Sequence, residues 1–113
     1  MATKLKSLSK NEDFKNLLNG HKISNKYVTI FFKILPDKNL SKLNISFVTK
    51  KKIGNAVFRN KIKRRLRNIM LDALKNINIS CKYSYLFIAK KNVFHDDYKI
   101  IKNNILKDLR DLK

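Results

Sequence analysis

The sequence predicts an α+β fold, a small α/β sandwich in the order helix, strand, strand, helix, strand, helix. Three observations lead there. Residues 27–35 and 43–48 alternate apolar and polar side chains with the period of two expected of half-buried strands. A third apolar run at 83–89 follows a long segment of helical periodicity, which makes a strand–helix–strand unit. Shorter helical patterns occupy the two ends. No Pro-, Gly- or Ser-rich linker, repeat or low-complexity tract divides the 113 residues, so 1–113 reads as a single domain with one modest core.

Residues 1–8 read as a flexible basic arm. Ser9-Lys10-Asn11-Glu12 has the S-x-x-E form of a capping box, Phe14, Leu17 and Leu18 follow at helical spacing, and Gly20 can terminate the helix, which predicts a helix over 9–19. In the next segment Val28, Ile30, Phe32 and Ile34 form one apolar strand face. Tyr27, Thr29, Phe31 and Lys33 form the other. Two aromatics beside a hydroxyl and a lysine serve equally as cross-strand partners or as a base-stacking platform.

Pro36-Asp37-Lys38-Asn39 carries turn chemistry, after which Leu43, Ile45 and Phe47 alternate with Asn44, Ser46 and Val48, so a hairpin is the simplest pairing. A basic helix is expected over about 56–75 and a connection over 76–82. Tyr83–Ala89 is apolar on both sides, which suits a central strand. His95-Asp96-Asp97 precedes the last helix, with the aspartates placed for its N-cap and a core stripe at Tyr98, Ile101, Ile105, Leu109 and Leu112.

Charge is the dominant feature of composition. Lys and Arg number 27 against 8 Asp and Glu, a formal net charge of +19. The excess concentrates in Lys50–Arg67, KKKIGNAVFRNKIKRRLR, where half of the positions are basic and none is acidic. Apolar residues recur there at Ile62, Leu66, Ile69, Met70 and Ala73, which share one stripe at roughly 100° per residue. Asn60, Arg64 and Arg67 project from the opposite side with Lys61 and Lys63 on its flanks, while Arg65 borders the stripe and Arg59 falls within its arc. A merely solvated face interleaves signs. Here Arg59 with Lys63, Lys61 with Arg65 and Lys63 with Arg67 are like-charged i,i+4 neighbours, which calls for a polyanion: nucleic acid before an anionic membrane.

The inventory for catalysis is thin. Cys81 is the single cysteine, which excludes an intrachain disulfide and a cysteine-rich zinc site and suggests a reducing cytosol. There is no signal-peptide pattern and no apolar run of the roughly 18 residues that a membrane span needs, so the expectation is a soluble, cytoplasmic protein with no membrane partner. His21 and His95 are distant in sequence and each adjoins an expected helix end. The acid pairs Asp96-Asp97 and Glu12-Asp13 sit where helix capping accounts for them. With two glycines in the chain there is no Gly-rich phosphate loop. These residues favour holding a phosphodiester over cutting one, and no catalytic or metal-ligating residue is assigned.

Lys51-Lys52-Ile53-Gly54-Asn55-Ala56-Val57, continuing through Arg59-Asn60-Lys61-Ile62-Lys63-Arg64 to Arg67, closely resembles the signature of the bacterial ribonuclease P protein component. Asn11-Glu12-Asp13-Phe14 extends the likeness to nearly the whole domain. The resemblance implies a left-handed βαβ crossover around the basic helix, against the usual right-handed rule. It implies the protein subunit of an endoribonuclease whose active site lies in a catalytic RNA that uses magnesium, with no cofactor bound by the protein alone and no obligate protein partner. The substrate would be precursor tRNA, cleaved to release its 5′ leader.

Carried over by position, Arg59, Asn60, Lys61, Lys63, Arg64 and Arg67 look like catalytic-RNA contacts, extended by Lys51 and Lys52. Phe14 and Phe31 look like aromatic contacts to the leader, with Tyr27 as their neighbour. Lys61 stands where the family usually has Arg, keeping charge without bidentate geometry. Leu18 stands where an aromatic is often found. The alternatives from other classes are a small basic ribosomal or other structural RNA-binding protein, from which the specific motif string separates the first reading, and a self-sufficient nuclease, which fails if the purified protein does not cleave until the catalytic RNA is added.

Overall fold

A computed structural model of the chain describes residues 4–8, 10–36, 38, 41–77 and 79–111. Five strands form one mixed sheet: β1 (Leu5–Ser7), β2 (His21–Ser24), β3 (Val28–Lys33), β4 (Leu43–Val48) and β5 (Ser84–Ala89), in the spatial order β1-β4-β5-β3-β2. The helices are α1 (Asn11–Leu18), α2 (Ala56–Asn76), a single turn α3 (Asn92–His95) and α4 (Tyr98–Arg110).

The alternation along each strand decides the layers. Val28, Ile30 and Phe32 of β3, Leu43 and Ile45 of β4, and Tyr85, Phe87 and Ala89 of β5 face α2 and α4 in the main core. Phe31, Val48, Leu86 and Ile88 point to the other side and pack with Phe14 and Leu17 of α1 and with Leu8 and Leu35. The result is α1, then sheet, then α2 with α4.

On α2 all five predicted stripe residues, Ile62, Leu66, Ile69, Met70 and Ala73, are fully buried. Burying each large apolar side chain contributes roughly 1.5–3 kcal/mol, whereas each like-charged i,i+4 pair on the outer face costs only about 0.2–0.5 kcal/mol. Packing wins, and the helix carries its charge outward.

β5 is central, as its two apolar faces imply. It pairs parallel with β4, from Ile45 opposite Tyr85 to Val48 opposite Ile88, and antiparallel with β3, from Val28 opposite Ala89 to Lys33 opposite Ser84. The hairpin expected between 27–35 and 43–48 is therefore wrong. α2 returns the chain to the same end of the sheet, and β5 enters between β3 and β4.

Other differences follow from pairing. Residues 5–7, read as part of the flexible arm, form edge strand β1 parallel to β4. β2, not foreseen, pairs antiparallel with β3 and begins at His21, which therefore starts a strand and stacks on Phe32 at 5.2 Å between ring centroids. β3 ends at Lys33, so Ile34 leaves the core face and is 55% exposed.

Ser9 of the expected capping box, Asp37 and Asn39 of the turn, and Leu112 of the last stripe lie outside the described residues. The helix α1 starts at Asn11, and Lys10 at its N-cap makes no side-chain cap bond. Gly20 is required for a close approach: a Cβ there would stand 2.7 Å from the Phe32 carbonyl oxygen and 2.9 Å from Lys33 Cβ, so any side chain would prise α1's end from β3. Asp97 occupies the α4 N-cap position without a side-chain bond, and Asp96 accepts from Tyr27 instead of capping the helix.

Candidate nucleic-acid interface

The basic helix starts where the sequence allows it to. The Asn55 side chain accepts a hydrogen bond from the Phe58 N–H at 2.9 Å, a side-chain N-cap that fixes the first turn. From that start Asn60, Lys61, Lys63, Arg64 and Arg67 are exposed on the outer face. The ion pairs among the described residues, Lys26–Asp96, Lys38–Asp13 and Lys102–Asp72, use none of these cations. Arg59 is half-buried, and its Nε is shielded with no hydrogen-bond partner among the described residues.

Arg65 behaves differently from its neighbours. Its Nη1 donates to the Val93 and Phe94 carbonyls at 3.2 and 2.8 Å, and its guanidinium lies 5.8 Å from the Tyr98 ring centroid. Tyr98 in turn donates to Asp72 at 2.9 Å; burial, reinforced by that carboxylate, pushes its hydroxyl pKa up to about 12. One arginine of the run is thus committed to tying α2 to α3 and α4.

Beside the outer face, a groove of about 460 Å³ opens between α2 and the β4 edge. Asn60, Lys63, Arg64 and Arg67 line one side, and Ser7, Ser46 and Phe47 the other. The three sheet residues were not found by sequence reasoning, because they become part of the site only when β1 and β4 lie against α2.

A second depression, of about 380 Å³, groups Lys50 and Lys52 with Lys90, Lys91, Thr29, Ile53 and Ile88. Lys51 and Lys52 were predicted to extend the α2 surface. Both are exposed in a short 3₁₀ turn, Lys51–Ile53, but Lys52 faces this depression instead. Lys90 is anchored there, its Nζ donating to Ser24 Oγ at 2.9 Å and to the Asn25 carbonyl. A signal for Lys90 and Lys91 exists in the sequence: parallel strands flanking one helix end on the same side, so the lysines after 43–48 and after 84–89 must meet.

Phe14 and Phe31 come together as expected, both half-buried in the cluster between α1 and the sheet, with Lys22 Nζ 5.8 Å from the Phe31 ring centroid. At the end of the same helix Leu18 is 51% exposed. Tyr27 does not join them. It is 2% exposed in the main core, and its hydroxyl donates to Asp96 Oδ2 at 2.7 Å.

The reason is local. The Asn25 side chain accepts from the N–H groups of Tyr27 and Val28 at 2.8 and 2.9 Å, forming a turn, so the strand's alternation starts only at Val28. The hydrogen bond to Asp96 is the main cause that raises the Tyr27 pKa, and the same bond, helped by Lys26, is the main cause that lowers that of Asp96.

The described residues contain no group of three or more His, Cys, Asp or Glu able to hold a metal ion. His95 packs near Phe58 and Phe94, and the half-buried Cys81 thiol lies 3.7 Å from the Ile79 carbonyl. Nor is any helix among these residues long and apolar enough to cross a membrane.

A small α+β domain whose longest helix turns outward cations that have no ion-pair partner among the described residues, over a groove with polar and aromatic walls, is by class a basic domain built to meet a polyanion. The comparisons narrow this. The profile of the family described as Ribonuclease P matches residues 2–113. A ribonuclease P protein component of Carboxydothermus hydrogenoformans is 34% identical over 107 residues, covering 91% of this chain and 87% of its own. One from Streptococcus thermophilus is 31% identical over 104 residues, covering 91% and 88%.

Among solved structures, the RNase P protein of Staphylococcus aureus superposes with a TM-score of 0.70 at 28% identity, over 92% of this chain and 91% of that one. That of Thermotoga maritima shares the fold with a TM-score of 0.77 at 22% identity, over 96% and 98%. The chain belongs to the ribonuclease P protein family.

Proposed function

We propose that this chain is the protein subunit of a cytoplasmic ribonuclease P, in which it binds the catalytic RNA and the 5′ leader of precursor tRNA while the RNA cleaves the phosphodiester. The observation that carries the reading is the row of cations on α2 that have no carboxylate partner among the described residues. Arg59, Lys61, Lys63, Arg64 and Arg67 neutralise phosphates of the catalytic RNA, and Asn60 adds an amide able to donate and accept.

The opposite side of the sheet takes the leader. Phe14 and Phe31 supply faces for unstacked bases, and Lys50, Lys52, Lys90 and Lys91 continue that side with charge for the leader's phosphates. Holding the leader and the RNA on two sides of one rigid sheet positions the scissile bond against the RNA without any protein side chain touching it. The magnesium chemistry is assigned to the RNA, and the described residues of this chain hold no group of three or more His, Cys, Asp or Glu that would compete for it.

Reconstitution with a bacterial ribonuclease P RNA at low magnesium tests the reading. The expected result is leader removal that rises strongly on adding protein, with tighter binding of precursor than of mature tRNA by the complex. Equal cleavage with and without protein, or equal affinity with and without a leader, rejects it. Cleavage by the protein with no RNA would instead reveal a self-sufficient nuclease.

A further inference from the structure

Neutralising phosphates requires no more than an outward row of cations, yet α2 forms one wall of a concave groove. Its other wall is chemically unlike a phosphate track. The half-buried Phe47 ring is held edge-to-face on Phe87, with centroids 5.7 Å apart and planes at 71°. Ser7, on the face of the sheet that it shares with Ile45, adds a hydroxyl able to donate and accept, and Ser46 stands at the same edge of β4. Strand pairing stops at Ser7 opposite Ile45 although β4 runs on to Val48, so the outer edge of β4 beyond Ile45 has no strand partner among the described residues. An aromatic ring, a hydroxyl and a backbone edge with no strand partner among the described residues suit the face and edge of a nucleobase.

From this juxtaposition we infer that the groove between α2 and β4 takes one unpaired nucleotide of the partner RNA, its base on Phe47 and its phosphates on Lys63, Arg64 and Arg67. The inference rests on the reading of the α2 face as the catalytic-RNA surface and adds base recognition to it. A base within a duplex keeps its faces stacked on its neighbours, so only an unpaired one can lie on Phe47. Ser7 then contacts its edge, which makes this the place where the protein discriminates among RNA bases and not merely among charges.

The test uses the full chain and a bacterial ribonuclease P RNA, with affinity measured across a salt series and RNA bases probed by dimethyl sulfate. Phe47→Leu is expected to weaken binding about tenfold, within the range for loss of one stacked base, and to leave the salt slope unchanged. Arg67→Ala is expected to reduce the slope by about 0.7–0.9. One unpaired base is expected to be shielded by the wild-type protein and exposed again with Phe47→Leu.

Wild-type affinity and an unchanged footprint for Phe47→Leu overturn the pocket while leaving the α2 surface standing if Arg67→Ala still binds weakly. If both variants bind like wild type, the α2 reading falls with it. Should Phe47→Leu fail to fold, Ser7→Ala decides: altered reactivity of the same single base supports the pocket, and an unaltered footprint rejects it.

Discussion

Arg65 donates a hydrogen bond to the carbonyl oxygen of Phe94 at 2.8 Å, while Arg64, one residue earlier, is exposed to solvent on the outer face of the same helix. Adjacent arginines therefore have opposite duties. Arg65→Ala is expected to lower stability by roughly 1.5–3 kcal/mol, the range for hydrogen bonds to a charged group, and to weaken RNA binding only through the folded fraction. Arg64→Ala is expected to leave the melting temperature nearly unchanged and to weaken RNA binding directly. Thermal melts alongside RNA titrations check both; identical profiles for the two variants would contradict the division.

If Arg59, Lys61, Lys63, Arg64 and Arg67 each meet a phosphate, as proposed, the slope of log affinity against log salt with the catalytic RNA is expected to be roughly −3.5 to −4.5. Filter binding between low and moderate salt measures it. A flat dependence would remove the electrostatic account of this face.

Phe31 lies on the α1 side of the sheet, away from α2. Phe31→Ala is accordingly expected to reduce the preference for precursor over mature tRNA by roughly 5- to 150-fold, the range for one base–aromatic stack, with binding of the catalytic RNA unchanged. Competition between the two tRNA forms on the reconstituted complex provides the readout, and a loss of catalytic-RNA affinity would show that the two surfaces are one.

Tyr27 and Asp96 give a pH signature. Asp96 titrates below its ordinary 3.8 in the fold, so its stabilisation is present above about pH 4 and is lost as pH falls through the lowered value. Tyr27 titrates above its ordinary 10.0, so its share is present below pH 10 and is lost as pH rises through the raised value. Between these limits Tyr27→Phe should unfold at lower urea than wild type, and the gap should narrow at pH 3. A gap of equal size at pH 3 and pH 7 would mean that the ionised carboxylate is not the partner that matters.

Lys38 Nζ lies 2.7 Å from Asp13 Oδ2, with both side chains largely buried, and joins α1 to the chain beyond β3. Lys38→Ala leaves that carboxylate without its cation, at an expected cost on the order of 3 kcal/mol. Adding Asp13→Asn to the same chain should recover part of the loss, as urea midpoints will show; a double variant less stable than Lys38→Ala would contradict it.

Much of this was legible in the chain. The stripe Ile62, Leu66, Ile69, Met70 and Ala73 predicted the buried face of α2 and, by subtraction, the exposed position of Asn60, Arg64 and Arg67, because helical periodicity is local and needs no partner. The two apolar faces of 83–89 likewise marked a central strand. Even the awkward position of Arg65 at the border of the stripe was visible, although its acceptors were not.

What tertiary structure alone decided was which strands lie side by side and what they bring together. Alternation fixes the two faces of a strand but says nothing about its neighbour, so the apparent hairpin gave way to β5 inserted between β3 and β4. That insertion sets Lys50 and Lys52 beside Lys90 and Lys91; the packing of the sheet puts Ser7 and Phe47 in one groove with α2, Phe14 in one cluster with Phe31, and Tyr27 on Asp96. The sequence by itself determined a basic helix in search of a polyanion; the pairing of distant strands, a non-local choice, decided the shape of the surfaces that would meet it.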